Sequence, residues 1–282
     1  MIHLAFSTNA FTRFSLDDAM LRIRAAGFGA VEILADTPHA YPEGLNPSTI
    51  STIAREVSRL GLKVSNINAN CSFGYFRDPP PEAFFEPSLI SPNAMWREDR
   101  LRMIGKCMEL AKAVGAANIS ITSGRLLGGV PLERAHTLLE EGLHRVLSLA
   151  DRHGVNVGIE CEPGLYIEYA KELSDWITAI DHPRLGANLD VGHSQVLGED
   201  IPAAIRLLKG RIWNLHIEDI PGRKHYHLIP GEGTMNWASL WQALRDTQYE
   251  GFATVELYTQ SAHPDEAARK SWVFLRGEGV AI

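Results

Sequence analysis

Residues 185–195 read LGANLDVGHSQ, a short apolar run that ends in a carboxylate. The run predicts a buried strand that ends at Asp190, with a glycine turn and His193 directly after it. Three other apolar runs carry a ligand-type residue at or near their ends: VNVGIE at Glu160, IWNLHIED at His216 and FATVEL at Glu256. This recurrence predicts a repeated structural unit in which the functional side chains lie at the strand ends.

Strand-like and helix-like patterns alternate along the whole chain. Strands are predicted at 2–8, 29–34, 62–70, 117–124, 155–160, 184–190, 211–219 and 251–257, and helices at 16–27, 47–60, 94–116, 132–154, 169–180, 202–209, 236–248 and 264–279. Repeated strand–helix units imply parallel strands with right-handed crossovers. Eight units predict a (β/α)8 TIM barrel, an α/β fold, as a single domain over residues 1–282. A doubly wound open sheet is the alternative, but no GxGxxG motif supports a dinucleotide site.

The composition is ordinary for a globular protein, with 45% hydrophobic and 22% charged residues. A formal net charge of −7 argues against nucleic acid as a partner, since proteins that bind it usually present a basic surface. Three cysteines without a CxxC pair favour a reducing compartment. We find neither a signal peptide nor an apolar run near the roughly 20 residues of a membrane span, so we expect a cytoplasmic protein with no membrane partner.

Residues 71–94 interrupt the alternation with three consecutive prolines and several aromatic side chains. A loop of this length predicts an ordered lid or a contact surface, and a loop without a role is the alternative.

In a barrel, the carboxyl ends of the strands converge at one end, which we call the mouth. Strands five to eight would bring Glu160, Asp190, His216 and Glu256 together there. Three carboxylates and one imidazole suit Mn²⁺, Mg²⁺ or Co²⁺, and Zn²⁺ is also possible. Without a cation, the carboxylates would repel each other. The sequence therefore predicts a divalent-metal site.

The segment after strand seven adds further candidates. His225 and His227 are two residues apart and would point to the same side of an extended segment. With His193 they could form a second metal site or bind an anion, and a solvated loop is the alternative. Arg223 is placed to contact a hydroxyl or carboxylate of a substrate, and Asn68, a polar residue at the end of strand three, is a further candidate for substrate binding.

A metal flanked by two glutamates predicts proton-transfer chemistry on a hydroxy-ketone. The metal would polarise the carbonyl, and one glutamate would take the acidified proton while the other returns one. Return to the opposite face gives epimerisation, return to the neighbouring carbon gives aldose–ketose isomerisation, and loss of hydroxide gives dehydration. The sequence leaves these three reactions open.

The strand ends GIE (158–160), NLDVGH (188–193), NLHIED (214–219) and VEL (255–257), with the HYH and PGEG segments, resemble the xylose isomerase-like TIM barrel superfamily. The superfamily includes ketose 3-epimerases, hydroxypyruvate isomerase, inosose dehydratase and endonuclease IV. The resemblance implies four metal ligands, namely Glu160, Asp190, His216 and Glu256, with the two glutamates as the acid/base pair. It also implies that His193 and Arg223 bind a small sugar substrate, and it suggests a homo-oligomer.

Endonuclease IV is similar in a different way, because its third zinc would correspond to His193, His225 and His227. Its first zinc, however, requires histidines where this chain has Asn68 or Asn70 and Thr122 or Ser123. We therefore expect a metal-dependent isomerase or epimerase in carbohydrate metabolism rather than a DNA-repair enzyme. An inosose-type dehydratase and a non-enzymatic metal-bearing barrel are the alternatives.

Overall fold

Eight parallel strands close into one barrel in the computed structural model, which describes residues 1–70, 72–78 and 85–279. The strands are β1 His3–Ser7, β2 Ala30–Leu34, β3 Lys63–Asn68, β4 Asn118–Thr122, β5 Asn156–Glu160, β6 Leu185–Asp190, β7 Ile212–Ile217 and β8 Phe252–Val255. Each strand pairs with its neighbours in sequence, and β8 pairs with β1. The closed order confirms the predicted TIM barrel and rules out the open sheet.

Helices connect the strands around the outside of the barrel. They are α1 Leu16–Ala26, α2 Pro47–Arg59, α3 Ala94–Val114, α4 Leu132–His153, α5 Ala170–Ile180, α6 Val191–Leu197, α7 Ile201–Leu207, α8 Trp237–Asp246 and α9 Pro264–Gly277. All predicted strands and helices are present, with bounds that agree within two residues. Within the described ranges, no helix is long and apolar enough to cross a bilayer.

One local prediction is wrong. The glycine turn expected after Asp190 is the first turn of α6. The Asp190 side chain caps this helix by accepting a hydrogen bond of 2.8 Å from the backbone N–H of His193. A seven-residue helix is too short for an apolar period to reveal it, and Gly192 made a turn the simpler interpretation.

Polar side chains fill part of the barrel interior, although the strand sequences predict near-continuous apolar runs. Asn66 donates to Glu32 and to Ser120 at 2.8 Å each, and Asn118 donates to Asn66 at 2.7 Å. On the other side, Asn214 donates to the side-chain oxygen of Asn188 at 2.7 Å. These buried groups satisfy one another, so they support the mouth without leaving unpaired amides beneath it.

The described part of the 71–94 loop is attached to the mouth by the carboxylate of Asp36. Asp36 accepts backbone hydrogen bonds of 2.7–2.9 Å from Ser72, Phe73 and Gly74. The prediction of a lid is untested for Cys71 and for residues 79–84, which include Phe84 and the prolines, because they lie outside the described residues.

Candidate metal centre

The four predicted ligands meet at the mouth of the barrel. One ligand atom from each of Glu160, Asp190, His216 and Glu256 lies within 4.8 Å of the others, and all four side chains are buried. His216 Nδ1 lies 3.0 Å from Glu160 Oε1 and 3.7 Å from both Asp190 Oδ2 and Glu256 Oε1. We call this group the four-ligand cluster.

The electrostatics of the cluster suit a cation. Burial raises the pKa of Glu256 well above its usual range, and neighbouring carboxylates add to this shift. Burial would also raise the pKa of Asp190, but His193 and other nearby histidines hold it well below its usual range. The buried Asp190 Oδ2 has no hydrogen-bond partner among the described residues. Unpaired carboxylate oxygen and crowded acidic groups both fit a divalent metal ion.

Glu32 on β2 also belongs to the site, although it is not among the site residues predicted from the sequence. It is fully buried, and its Oε2 lies 2.7 Å from His216 Nε2. A carboxylate that accepts from one ring nitrogen fixes the histidine so that its other nitrogen faces the metal. The signal in the sequence is a single glutamate inside the apolar run GAVEIL (29–34).

Two amides from strand three reach the two glutamates. Asn70 Nδ2 donates to Glu160 Oε2 at 3.1 Å, and Asn68 Nδ2 donates to Glu256 Oε1 at 3.3 Å. Each glutamate therefore receives one amide hydrogen bond, and the other oxygen of Glu160 lies 3.0 Å from His216 Nδ1. Asn68 thus lies in the site, in contact with a predicted ligand.

His193, His225 and His227 also come together, and we call them the three-histidine cluster. One ring nitrogen of each lies within 4.8 Å of the others. The Nδ1 atoms of His193 and His227 each lie 2.9 Å from a backbone carbonyl, of Cys161 and Glu256 respectively. If the His227 nitrogen donates, its Nε2 is free to accept, and Nε2 of His225 and His227 is buried without a partner among the described residues.

The two buried histidines of this cluster differ in charge. Burial lowers the pKa of His227 to about 3, so that ring is neutral. Burial opposes the charged form of His193 as well, but Asp190 and Glu162 raise its pKa to about 9. Glu162 Oε1 lies 3.7 Å from His193 Nε2. One neutral and one protonated imidazole therefore stand side by side at the mouth.

Glu218, just after β7, is a second carboxylate that the sequence did not single out. It is fully buried, and neither carboxylate oxygen has a hydrogen-bond partner within the described part of the chain. It lies with Asp190 and His227 in a group whose ligand atoms are within 4.8 Å of one another. Its carboxylate occupies the space that a side chain at position 192 would need, and Gly192 leaves that space open.

Arg223 is the one predicted site residue that the structure does not bring to either cluster. Its Nε donates to the carbonyl of Val196 at 3.0 Å, and its guanidinium packs against Gly198.

The segment that carries His225 and His227 is fixed by Asp219, which accepts hydrogen bonds from the Gly231 and Met235 backbone N–H groups at 2.9 and 2.8 Å.

A closed parallel barrel with carboxylates and histidines at the carboxyl ends of its strands defines a TIM-barrel protein with a candidate metal centre. The family described as xylose isomerase-like TIM barrel matches residues 20–277, and the chain belongs to that family.

Named relatives of the chain include an epimerase and an isomerase. Fructoselysine 3-epimerase of Escherichia coli O157:H7 is 24% identical over 251 residues, covering 88% of this chain and 87% of the relative. The 2-oxo-tetronate isomerase of Pectobacterium atrosepticum is 24% identical over 251 residues, covering 87% of each. The crystal structure of a D-tagatose 3-epimerase-like protein superposes with a TM-score of 0.79 at 20% identity, covering 99% of this chain and all of that one.

Proposed function

We propose that this protein is a divalent-metal-dependent isomerase or epimerase of a small sugar or polyhydroxy ketone. The observation that carries the proposal is the four-ligand cluster, in which the two glutamates each receive one amide hydrogen bond. The relatives support the reaction class, since one is a 3-epimerase by name and another an isomerase. One relative is named for fructoselysine and the other for 2-oxo-tetronate, so the names leave the substrate of this protein open.

The donor set fits the metal, with Glu160, Asp190, His216 and Glu256 as the ligands. A divalent cation held by these residues would polarise a substrate carbonyl and make the adjacent C–H acidic. Glu160 and Glu256 then act as the acid/base pair: one takes the proton from carbon and the other returns a proton. All four side chains are buried, and this burial would exclude water from the transfer.

The three-histidine cluster is the second part of the proposal. His193, His225 and His227 either bind substrate oxygens or hold a second cation, and their neighbouring ring nitrogens suit both roles. The metal content separates the two: about one equivalent per chain indicates substrate binding, and about two equivalents indicate a second site.

The chemistry is tested by deuterium exchange. The purified protein, loaded with Mn²⁺, Mg²⁺, Co²⁺ or Zn²⁺ in turn, is incubated with a panel of ketoses in D₂O, and NMR follows the solvent deuterium. Deuterium at C3 with the ketose retained identifies an epimerase, and deuterium at C1 or C2 with aldose formed identifies an isomerase.

The same experiment can contradict the proposal. Loss of water from a cyclic polyol ketone without other exchange would point to a dehydratase. A metal-free protein with no exchange on any sugar would leave a non-enzymatic barrel.

A further inference from the structure

Arg100 on α3 is buried beside the mouth of the barrel without a protein partner. The residue is only 3% exposed, and its Nε has no hydrogen-bond partner. Within residues 1–70, 72–78 and 85–279, no hydrogen bond or ion pair involves its guanidinium. A guanidinium stays charged in proteins, and burying it without a counter-charge is costly. The stability of the fold therefore does not explain this arginine.

Glu86 is influenced by the charge of Arg100 but does not pair with it. The Glu86 side chain is buried, and its two oxygens accept from the backbone N–H and the hydroxyl of Ser88 at 3.1 and 2.9 Å. Burial raises the pKa of Glu86, and Arg100 opposes that shift less than the hydrogen bonds from Ser88 do. The N–H groups of the guanidinium are therefore not used by this carboxylate.

Arg100 lines a small cleft at the edge of the candidate metal centre, which we call the Arg100 cleft. Its volume is about 10 Å³, which is roughly the space that one water molecule needs. Two of the residues that line it lead to Glu160, because Asn70 donates to the Glu160 carboxylate and Thr122 pairs with Glu160 in the sheet register. The other described lining residues are Ser72, Phe85 and Pro87.

The hydrogen bond between Asn70 and Glu160 fixes which way the amide is turned. Asn70 Nδ2 donates to Glu160 Oε2 at 3.1 Å, and an ionised carboxylate can only accept. Asn70 Oδ1 is then left as an acceptor, and it is buried without a donor among the described residues. The Arg100 cleft therefore needs a group that accepts from Arg100 and also donates to Asn70. Water does both, whereas a halide ion would only accept and would face the negative end of the amide dipole.

We propose that one water molecule in the Arg100 cleft links Arg100 to Asn70, and that Arg100 is through this link a positioning residue for Glu160. All the hydrogen bonds then run in one direction, from the guanidinium through the water and the amide to Glu160 Oε2. Hydrogen bonds aligned in this way strengthen one another. The inference rests on the proposed function, in which Glu160 is one of the two acid/base groups.

A double-mutant cycle tests whether Arg100 acts through Asn70. The kcat of deuterium exchange is measured for Arg100→Met, for Asn70→Ala and for the double variant. Arg100→Met should lower kcat about two- to tenfold, as for the loss of one hydrogen bond, and leave KM and metal content unchanged. In the Asn70→Ala background it should cause no further loss, because the link to Glu160 is already broken.

The same four proteins are also unfolded with urea, since this measurement does not need turnover. Replacing a buried charge by an apolar side chain is often neutral or stabilising, so Arg100→Met should unfold at the same urea concentration as wild type or at a higher one. If the water joins Arg100 and Asn70, the effect of the double variant on the unfolding equilibrium constant should differ about twofold or more from the product of the single effects.

The matched control is Arg102→Met on the same helix, because Arg102 pairs with Glu43 and Asp99 at the surface. It should leave kcat unchanged in both backgrounds. Arg100→Lys keeps the charge and an N–H donor, so it should retain more of the wild-type kcat than Arg100→Met. It also replaces Arg100→Met in both cycles if that variant does not fold.

Equal losses of kcat from Arg100→Met in the wild-type and Asn70→Ala backgrounds would overturn the inference. A loss of kcat that goes with a matching loss of stability would overturn it as well. In both cases the proposed function stands, since the wild type still exchanges deuterium. A wild type that exchanges deuterium into no ketose contradicts the proposed function instead, and the unfolding cycle still decides whether Arg100 and Asn70 are linked.

Discussion

The two halves of the mouth differ in the kind of polar group that they carry. Strands β5–β8 and the segments after them supply the ionisable groups of the four-ligand and three-histidine clusters, and also Glu162 and Glu218 beside them. Strand β3 and the residues after it supply neutral amides, which contact those groups rather than duplicate them. Glu32 on β2 is a carboxylate in the neutral half, and it reaches across the barrel to His216.

This difference teaches how a buried site tolerates many charges. Carboxylates placed around the whole rim would repel one another with nothing at the centre to offset them all, whereas carboxylates gathered on one side can share a cation. The amides of the other half orient the acidic groups without adding charge. We infer that the ionisable half, together with Glu32, determines metal binding and that the amides of the neutral half determine geometry and substrate fit.

The largest expected effect comes from the ionisable half. Glu256→Gln should abolish metal binding at the four-ligand cluster and lower kcat about 10²–10⁴-fold, because it removes both a ligand and a proton carrier. Elemental analysis and the deuterium-exchange assay measure the two losses. Glu250→Gln is the matched control, since Glu250 is exposed and pairs with the amino terminus. A Glu256→Gln protein with full metal content and activity would contradict the assignment.

Glu32→Gln tests whether a residue of the neutral half acts on metal binding. Since Glu32 fixes the His216 ring, its loss should weaken metal affinity about 10–100-fold while the fold is retained. Competition with a chelator of known affinity gives the constant. Glu109→Gln on the outside of α3 is the control. Unchanged affinity would show that the His216 ring is held by packing alone.

Asn70→Ala should have a smaller effect of a different kind. It removes the amide that holds Glu160, so kcat should fall about tenfold, as for one hydrogen bond to a charged group, with metal content unchanged. Asn68→Ala should do the same through Glu256. Steady-state kinetics together with elemental analysis checks both. If either variant lost its metal, the separation of roles between the two halves would be wrong.

The smallest effect concerns His39, after β2 in the neutral half. Burial lowers the pKa of His39 below its ordinary value of 6.5, so folding favours the neutral ring. The stability that this contributes is complete above pH 6.5 and is lost as the pH falls through the folded-state pKa. Wild type should therefore lose more in Tm than His39→Gln on acidification, by about 2–4 °C per kcal/mol. Parallel pH curves for the two proteins would contradict this.

The sequence predicts the barrel and the four-ligand cluster because both depend on short-range patterns. Apolar runs that end in Glu160 or Asp190 are visible in a single strand, and the fold brings their ends together. The resemblance of those strand ends to a known family adds the proposed roles, and the family match confirms the family itself.

The remaining features depend on contacts between distant residues. Glu32 looks like one polar interruption of a strand, and only the closed barrel shows that it meets His216, 184 residues away. Arg100 lies in a charged helix sequence, WREDRLR, where an arginine normally faces solvent, yet in the structure it is buried. Arg223 was placed near the substrate by its spacing, yet its guanidinium lies against α6.

Gly192 and Glu218 together limit how this protein can change by mutation. A side chain at position 192 would overlap the Glu218 carboxylate, so substitution there requires a shorter residue at 218 as well. The two positions are therefore expected to be epistatic: Gly192→Ala should be harmful alone and tolerated in a Glu218→Ala background. A mutagenesis library that varies single positions would classify position 192 as fixed, and a paired library would find the compatible combinations.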